Sequence, residues 1–469
     1  MNGNGLIHVE ELAYCYPQHR RSLRLAALDV QPGQVVLLTG PSGCGKSTFA
    51  RCLVGLIPHL YHGDLGGRVV VDGLETASTP LWRLTERVGM VFQNPASQML
   101  AATVEDEIIF GLENLGLPRD EIEERLEAAL AGFQLQDLRQ RTPLTLSGGE
   151  QQRLALAAIT ARRPPALVLD EPLSMLDSVA TESLVARLAA LAESGTGIVA
   201  CEHRTKPLRR IPGTTTVDLG GDERSQIEWD LLEDRLACQP VDTFTLEARG
   251  LGVRLGGREV LHDLDFAAAG GQVVSIAGCN GVGKTTLLRA LAGLQRYEGV
   301  VEVKGKRPDL AMVFQNPDLQ LFNATVGEEI LYKVVDPDMA WYHGLLDLLG
   351  LDGYQDTPPL LLSEGEKKRV ALAIALMRKP AHGVLLDEPA LGQDATHKAR
   401  LVHVARALAR AGRLVVMTTH DLSLAAQADR LLLMDESGFV ADGPPDTVLR
   451  DEAAWRRAGL IVPDWVTAP

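Results

Sequence analysis

The feature that most constrains the fold is that the chain is written twice. Gly40-Pro41-Ser42-Gly43-Cys44-Gly45-Lys46-Ser47-Thr48 recurs as Gly278-Cys279-Asn280-Gly281-Val282-Gly283-Lys284-Thr285-Thr286. Val91-Phe92-Gln93-Asn94-Pro95 recurs as Val313-Phe314-Gln315-Asn316-Pro317. Leu146-Ser147-Gly148-Gly149-Glu150 recurs as Leu362-Ser363-Glu364-Gly365-Glu366, and Leu169-Asp170-Glu171-Pro172 as Leu386-Asp387-Glu388-Pro389. His203 recurs as His420. Landmarks repeated in one order predict two copies of one fold, in keeping with a length of 469 residues, which is too long for one ordinary domain.

The spacings locate the differences between the copies. The lysines lie 238 residues apart, the glutamines 222, the serines 216, and the aspartates and histidines 217. The second copy is therefore 16 residues shorter between its lysine and its glutamine. Such a loss points to trimmed surface strands or loops, because a core tolerates deletion poorly. The boundary falls between about Gly220 and Thr245, where residues 222–242 carry seven acids against two arginines and Pro240 interrupts. The expected division is a first domain over 1–225, a short acidic connector over 226–245 and a second domain over 246–469.

Composition narrows the partners. Hydrophobic residues make up 46% and charged residues 23%, a globular balance. The net charge of −15 argues against a surface that coats nucleic acid or lies on anionic lipid, so no nucleic-acid partner is expected. The longest strictly apolar run, Val370 to Met377, has eight residues. A membrane span needs about 20, so attachment to a bilayer would have to go through other subunits. The segment Met1 to Gly5 lacks the basic and apolar regions of an export signal, which predicts a cytoplasmic chain. The six cysteines include no CxxC pair and read as reduced thiols, neither a disulfide frame nor a zinc site.

The glycine motif carries the first chemistry. Apolar runs precede it, Val35-Val36-Leu37-Leu38 and Val273-Val274-Ser275-Ile276. Helix-like stretches follow, Phe49 to Leu56 and Leu287 to Leu294. Strand, glycine loop and helix make a phosphate cradle, because glycines let backbone N–H groups face an anion at a helix N-terminus. Gly40, Ser42, Gly43, Gly45 and Thr48 would line one cradle, and Gly278, Asn280, Gly281, Gly283 and Thr286 the other. Lys46 and Lys284 would reach the β- and γ-phosphates, and Ser47 and Thr285 would hold Mg²⁺.

The runs Ala166-Leu167-Val168-Leu169 and Val384-Leu385-Leu386 read as strands buried on both faces, each ending in two carboxylates and a proline. Ligands of open α/β sheets bind at the carboxyl ends of strands. Asp170 and Asp387 would serve Mg²⁺, and Glu171 and Glu388 would polarise the attacking water. His203 and His420 follow strand-like runs, both 33 residues after the corresponding aspartate.

These residues together resemble the nucleotide-binding subunit of an ABC transporter with two cassettes fused head to tail, over essentially the whole chain. The resemblance implies an α/β fold of two tandem P-loop NTPase (ABC ATPase) domains. Each would have an antiparallel β subdomain and a helical subdomain, the latter over roughly 100–165 and 320–380. It implies ATP as substrate with Mg²⁺. Leu146 to Glu150 would be the signature, with Ser147 and Gly149, and in the second copy Ser363 and Gly365, touching nucleotide. The signature helix is expected to begin near Gln151. Gln93 and Gln315 would be the Q-loops, which also reach the metal; Asp177 and Asp394 the D-loops; His203 and His420 the γ-phosphate sensors. In that family ATP lies between the phosphate loop of one cassette and the signature of the other, which would pair Lys46 with Ser363 and Lys284 with Ser147 within one chain.

Two positions break the symmetry. Tyr16 is the expected adenine-stacking residue, while the matching place in the second copy holds Leu255, which has no aromatic face. Glu364 stands where the first copy has Gly148. Its carboxylate either points to solvent or weakens a site by like-charge repulsion.

The stretch after each Q-loop resembles the ATPases of energy-coupling factor (ECF) importers, which take up vitamins and transition-metal ions. It runs through Gln98 and Ala102 to Leu117 in the first copy and through Gln320 to Ile330 in the second. The resemblance implies an integral membrane scaffold gripped through this segment and a separate substrate-binding subunit, placing the chain at the cytoplasmic face of the membrane. Met99, Leu100, Leu321 and Phe322 would face the scaffold, core packing being the alternative. A tandem ATPase of a sugar importer and a tandem ABC ATPase acting on ribosomes are the rival readings. The latter typically carries a long charged linker, absent here.

Overall fold

The computed structural model describes residues 5–16, 22–41, 44–174, 176–220, 243–391, 393 and 395–461. The chain divides into two compact units, 1–222 and 223–469. Each has an antiparallel sheet, a mostly parallel sheet and a group of helices.

Unit 1 begins with β1 (Ile7–Cys15) and β2 (Ser22–Val30), followed by β3 (Val35–Thr39), β4 (Asp64–Val71) and β5 (Leu74–Glu75). β2, β1, β4 and β5 form the antiparallel sheet in that order. The second sheet adds β6 (Val88–Val91), β7 (Ala166–Asp170), β8 (Gly197–Cys201) and β9 (Thr215–Asp218), in the order β6-β7-β8-β3-β9, all parallel. Alternate residues of β3 enter different cores: Val35 and Leu37 pack on one side, Val36 and Leu38 on the other. A strand buried on both faces has no use for polar positions, so its sequence is an unbroken apolar run.

Unit 2 repeats the plan. β10 (Thr245–Leu255), β11 (Arg258–Ala269) and β13 (Glu298–Val303) form the antiparallel sheet, ordered β11-β10-β13. β12 (Val273–Gly278), β14 (Leu310–Val313), β15 (Gly383–Asp387), β16 (Leu414–Thr418), β17 (Arg430–Asp435) and β18 (Gly438–Gly443) form the second, ordered β14-β15-β16-β12-β17-β18. Only β18 runs against its neighbour. Phe244 is buried, edge-on to His382 at 5.0 Å, so the second folded unit includes residue 244. The connector proposed over 226–245 lies otherwise almost wholly outside the described residues.

The shortening of the second copy has a structural reason. Unit 1 has an edge strand, β5, and two one-turn helices, Leu56–His59 and Leu81–Leu84, between its phosphate loop and Gln93. Among the described residues unit 2 has, after its phosphate-loop helix, only β13 and β14 in the corresponding stretch.

The helical parts are Val104–Glu113, Arg119–Gly132 and Gly148–Ala161 in unit 1, and Val326–Leu331, Met339–Leu349 and Glu364–Met377 in unit 2. The signature helices therefore start at Gly148 and Glu364, three residues before the expected Gln151. Ser147 and Ser363 are the reason. Each is an N-cap in a capping box, its hydroxyl facing the N3 amide and the N3 glutamate, Glu150 or Glu366, accepting from the serine amide.

Candidate active site

The phosphate loops show why the motif needs glycine. Gly45 and Gly283 each turn the chain at φ 104°, a conformation that L side chains rarely adopt. That turn lets the helices start on the lysines, as Lys46–Leu53 and Lys284–Leu291, earlier than the runs of Phe49 and Leu287 suggested. Both lysines are nearly buried, at 6% and 7% exposure, yet need hydrogen-bond partners. The loop supplies them: Lys46 Nζ donates to the carbonyls of Gly40 (2.8 Å) and Pro41 (3.0 Å), and Lys284 Nζ to those of Gly278 and Cys279 (both 2.8 Å). Each loop is wrapped around its own cation. Ser42 and Gly43 lie outside the described residues, whereas Asn280 and Gly281 hold the turn of the second loop, Gly281 at φ 85°.

Strand order assembles the rest. β3 lies next to β8, β8 next to β7 and β7 next to β6, so their carboxyl ends carry Lys46, His203, the Asp170–Glu171 pair and Gln93 side by side. β12, β16, β15 and β14 do the same for Lys284, His420, Asp387–Glu388 and Gln315. The catalytic-glutamate candidates share a feature that the sequence does not advertise. Glu171 and Glu388 both have positive φ, 52° and 47°, a left-handed conformation costing a non-glycine residue about 1–2 kcal/mol. Such strain persists where the surroundings enforce it and collects at functional sites.

In unit 1, Gln93 Nε2 donates to Glu171 Oε2 at 2.9 Å, and His203 Nε2 lies 3.6 Å from Glu171 Oε1. In unit 2, the His420 amide donates to Glu388 Oε2 at 3.2 Å, and His420 Nε2 lies 3.3 Å from Glu388 Oε1. Burial pushes the Glu388 carboxyl above the usual carboxylate range, so it holds a proton more readily than a surface glutamate. Burial raises Asp170 and Asp387 as well, opposed by hydrogen bonds from Ser47 and Thr418 respectively.

The donors suit Mg²⁺. Ser47 bonds Asp170, and Asp170 Oδ1 is buried with no hydrogen-bond partner. Thr285 Oγ1 and Thr418 Oγ1 both donate to Asp387 Oδ1, at 3.0 and 2.7 Å. Hydroxyl, carboxylate and amide oxygens are the hard ligands this ion takes, and Gln93 and Gln315 follow the strands that neighbour those of Asp170 and Asp387.

Some predicted residues sit elsewhere. Ser147, Gly149, Ser363 and Gly365 belong to the helical parts. Glu364 does not present a free charge: its carboxylate lies 3.1 Å from Lys367 Nζ, which also meets Asp318 at 2.8 Å. Tyr16 Oη accepts from Arg51 Nη1 at 3.1 Å and lies 3.5 Å from Thr48 Oγ1, beside the phosphate-loop helix. Leu255 ends β10, 41% exposed, with no ring to offer. Thr286 is the second residue after Lys284 on the equivalent helix of unit 2. Asp177 caps the helix Ser178–Glu193 by accepting from the Ala180 amide, and Asp394 lies outside the described residues.

The segment after the Q-loop is a built device in both units. Gln98 accepts from the Phe92 amide and donates to the Met90 carbonyl (2.7 and 3.1 Å); Gln320 does the same with Phe314 and Met312 (3.0 and 2.9 Å). Each glutamine completes the end of an edge strand. Glu107 Oε2 then accepts from the amides of Leu100 and Ala101, and Glu329 Oε2 from those of Phe322 and Asn323. The clamp holds Leu100 and Phe322 outward, 75% and 65% exposed. Met99 and Leu321 turn inward onto the core, so only two of the four apolar residues face solvent.

Comparison with known proteins settles the family. The ABC transporter family model matches residues 23–174 and 261–391. The chain belongs to the ABC transporter family. It is an ATP-hydrolysing enzyme with two ABC cassettes. This ABC ATPase is 31% identical to the “Putative HMP/thiamine import ATP-binding protein YkoD” of Bacillus subtilis (strain 168), over 98% of this chain and 95% of that one. It is 34% identical to a “Putative ABC transporter ATP-binding protein” of Streptomyces avermitilis, over 95% of each. Its fold is similar, with a TM-score of 0.67 and 21% identity, to the solved structure “Model of ribosome-bound archaeal Pelota and ABCE1”, over 94% of this chain and 80% of that one. No helix among the described residues is long and apolar enough to cross a membrane.

Sequence reasoning passed over Glu202, Arg204 and Lys368. Glu202 is a nearly buried carboxylate next to His203. The available signal was a charged residue at the end of an apolar strand run, where the second copy has Thr419.

Proposed function

We propose that this ABC ATPase is the energy-coupling subunit of an importer of the ECF type, driving uptake of a vitamin or metal-ion micronutrient through separate membrane subunits. In this reading Lys46 and Lys284 bind the β- and γ-phosphates. Ser47, Asp170 and Gln93, and in unit 2 Thr285, Asp387 and Gln315, hold Mg²⁺, which supplies positive charge to the phosphates when bound. Glu171 and Glu388 accept the proton of the attacking water at a carboxylate oxygen. His203 and His420, next to those carboxylates, sense the γ-phosphate. Tyr16 packs on adenine, and Ser147, Gly149, Ser363 and Gly365 supply signature contacts.

The observation that carries the transport half of the reading is the paired clamp. Gln98 with Glu107, and Gln320 with Glu329, fix a loop that projects one large apolar side chain into solvent beside a candidate catalytic residue, once per unit. An apolar projection tied to the Q-loop suits a membrane subunit whose movement follows hydrolysis. The Bacillus subtilis relative, named for HMP/thiamine import, is of the same substrate class. The likeness to a ribosome-bound protein is one of fold, and the net charge of −15 gives no support to an RNA partner. Purification from membranes tests the reading: integral membrane proteins should co-purify, and Leu100→Glu with Phe322→Glu should release the chain while ATP binding persists. Co-purification of ribosomes, or attachment that survives both substitutions, would refute it.

A further inference from the structure

The turn that follows the catalytic strand, described at residues 171–174 and 176 in unit 1 and at 388–391 and 393 in unit 2, directs backbone carbonyls and amides into the protein interior, and the two units satisfy them differently. In unit 1 the partners come from the loop that carries His203. Glu202, 3% exposed, accepts the His203 and Arg204 amides at Oε1 (2.8 and 2.9 Å) and the Leu173 amide at Oε2 (3.0 Å). Arg204 Nη1 donates to the carbonyls of Leu173 (2.9 Å) and Leu176 (3.3 Å). Three hydrogen bonds thus join the switch loop to the turn after Glu171.

In unit 2 the matching positions are Thr419 and Asp421. Thr419 Oγ1 accepts from the Asp421 amide at 2.9 Å, and Asp421 pairs with Lys398 at 2.6 Å. Here the signature helix holds the turn: Lys368 Nζ donates to the carbonyls of Glu388 (3.3 Å) and Leu391 (2.7 Å). The unit 1 counterpart of Lys368 is Gln152, fully buried, with neither its amide nitrogen nor its amide oxygen hydrogen-bonded. The cation that holds the turn has changed its element of origin.

We propose that Glu202 and Arg204 are positioning residues that fix His203 against the turn after Glu171, so that in unit 1 the γ-phosphate sensor and this turn move as one body. In unit 2 His420 meets Glu388 directly, and the carbonyls of the turn are held by the signature helix rather than by the switch loop. The inference rests on the proposed role of His203.

The test uses the full chain carrying Lys284→Ala, which confines nucleotide to unit 1, and Glu171→Gln, which prevents turnover. Equilibrium binding of ATP and ADP is measured with Mg²⁺. Glu202→Ala and Arg204→Ala should each weaken ATP by about tenfold, the scale of one charge-assisted hydrogen bond, and leave ADP within twofold. Arg204→Lys should restore ATP binding, since a lysine at this turn already serves unit 2. With His203→Ala present, neither alanine change should weaken ATP further. ATP and ADP weakened together, or losses that persist in full without His203, would overturn the inference and mark a merely structural brace. Melting of each variant separates local loss from unfolding. Failure of the parent double variant to bind ATP, or equal ATP affinity with and without His203, would instead refute the site reading.

Discussion

Replacing Glu171 and Glu388 together by glutamine should stop turnover without releasing nucleotide. A positioned general base contributes about 10²–10⁴-fold, equivalent to about 3–5 kcal/mol of barrier at 1.36 kcal/mol per tenfold. The geometry says why binding should survive. Gln93 Nε2 donates to Glu171 Oε2, and the amide oxygen of a glutamine there accepts the same bond. In unit 2 the His420 amide donates to Glu388 Oε2, which a glutamine oxygen likewise replaces. Shape is kept and proton affinity is lost. Stability should not fall, because burial already disfavours the Glu388 charge, and a neutral amide removes that desolvation cost. The assay is steady-state phosphate release with Mg²⁺, alongside equilibrium binding of ATP and thermal melting. The double variant should release phosphate at least about a hundredfold more slowly, bind ATP as tightly as the parent or more so, and melt no lower. Turnover within tenfold of the parent would show that neither carboxylate is the base, and loss of ATP binding would show that both are structural.

Gly283→Ala should abolish ATP binding by unit 2, because its Cβ would stand 2.8 Å from Leu261 Cδ2 at a backbone φ of 104°; the check is binding in a Lys46→Ala background. Glu366→Gln should lower the stability of unit 2 at neutral pH by about 1–3 kcal/mol, the range of a lost cap and charge-assisted bonds. Bonds from Ser363 and Tyr354, together with Arg369, outweigh burial and hold the Glu366 carboxyl below its ordinary value. A lowered pKa adds stability above the unfolded value of about 4.3 and loses it as pH falls through the folded value. The penalty of Glu366→Gln should therefore shrink progressively as pH falls below about 4.3, as unfolding midpoints measured from pH 7 downward would show. Glu364→Gly should change turnover less than twofold, since that carboxylate is turned onto Lys367, which it shares with Asp318; a larger change in phosphate release would mean that the charge reaches nucleotide.

The repeat, the two glycine loops, the buried strands and the Asp-Glu pairs were legible in the sequence because each depends on local chemistry. A phosphate loop needs its glycines and lysine at fixed spacing, and a strand buried on both faces needs an unbroken apolar run. The start of the signature helix was misjudged by three residues because Ser147 and Ser363 act through caps that precede the apolar periodicity. Tertiary structure decided matters that spacing does not encode. Leu321 turned into the core while its neighbour Phe322 stayed out, because Glu329, seven residues beyond Phe322, pulls two loop amides inward. Glu364, for which the sequence left two orientations open, is paired with a lysine one helical turn away. Glu171 and Glu388 acquired left-handed backbones, a strain with no mark in the residue type. The two switch loops follow equivalent strands but received different anchors, because Glu202 and Arg204 of unit 1 are Thr419 and Asp421 in unit 2; that Glu202 meets Leu173, 29 positions away, was decided by β7 and β8 lying side by side. Local rules fix which residues can do chemistry; the packing of strands fixes which of them meet, since only folding brings distant carbonyls and amides within 3 Å of the side chains that satisfy them.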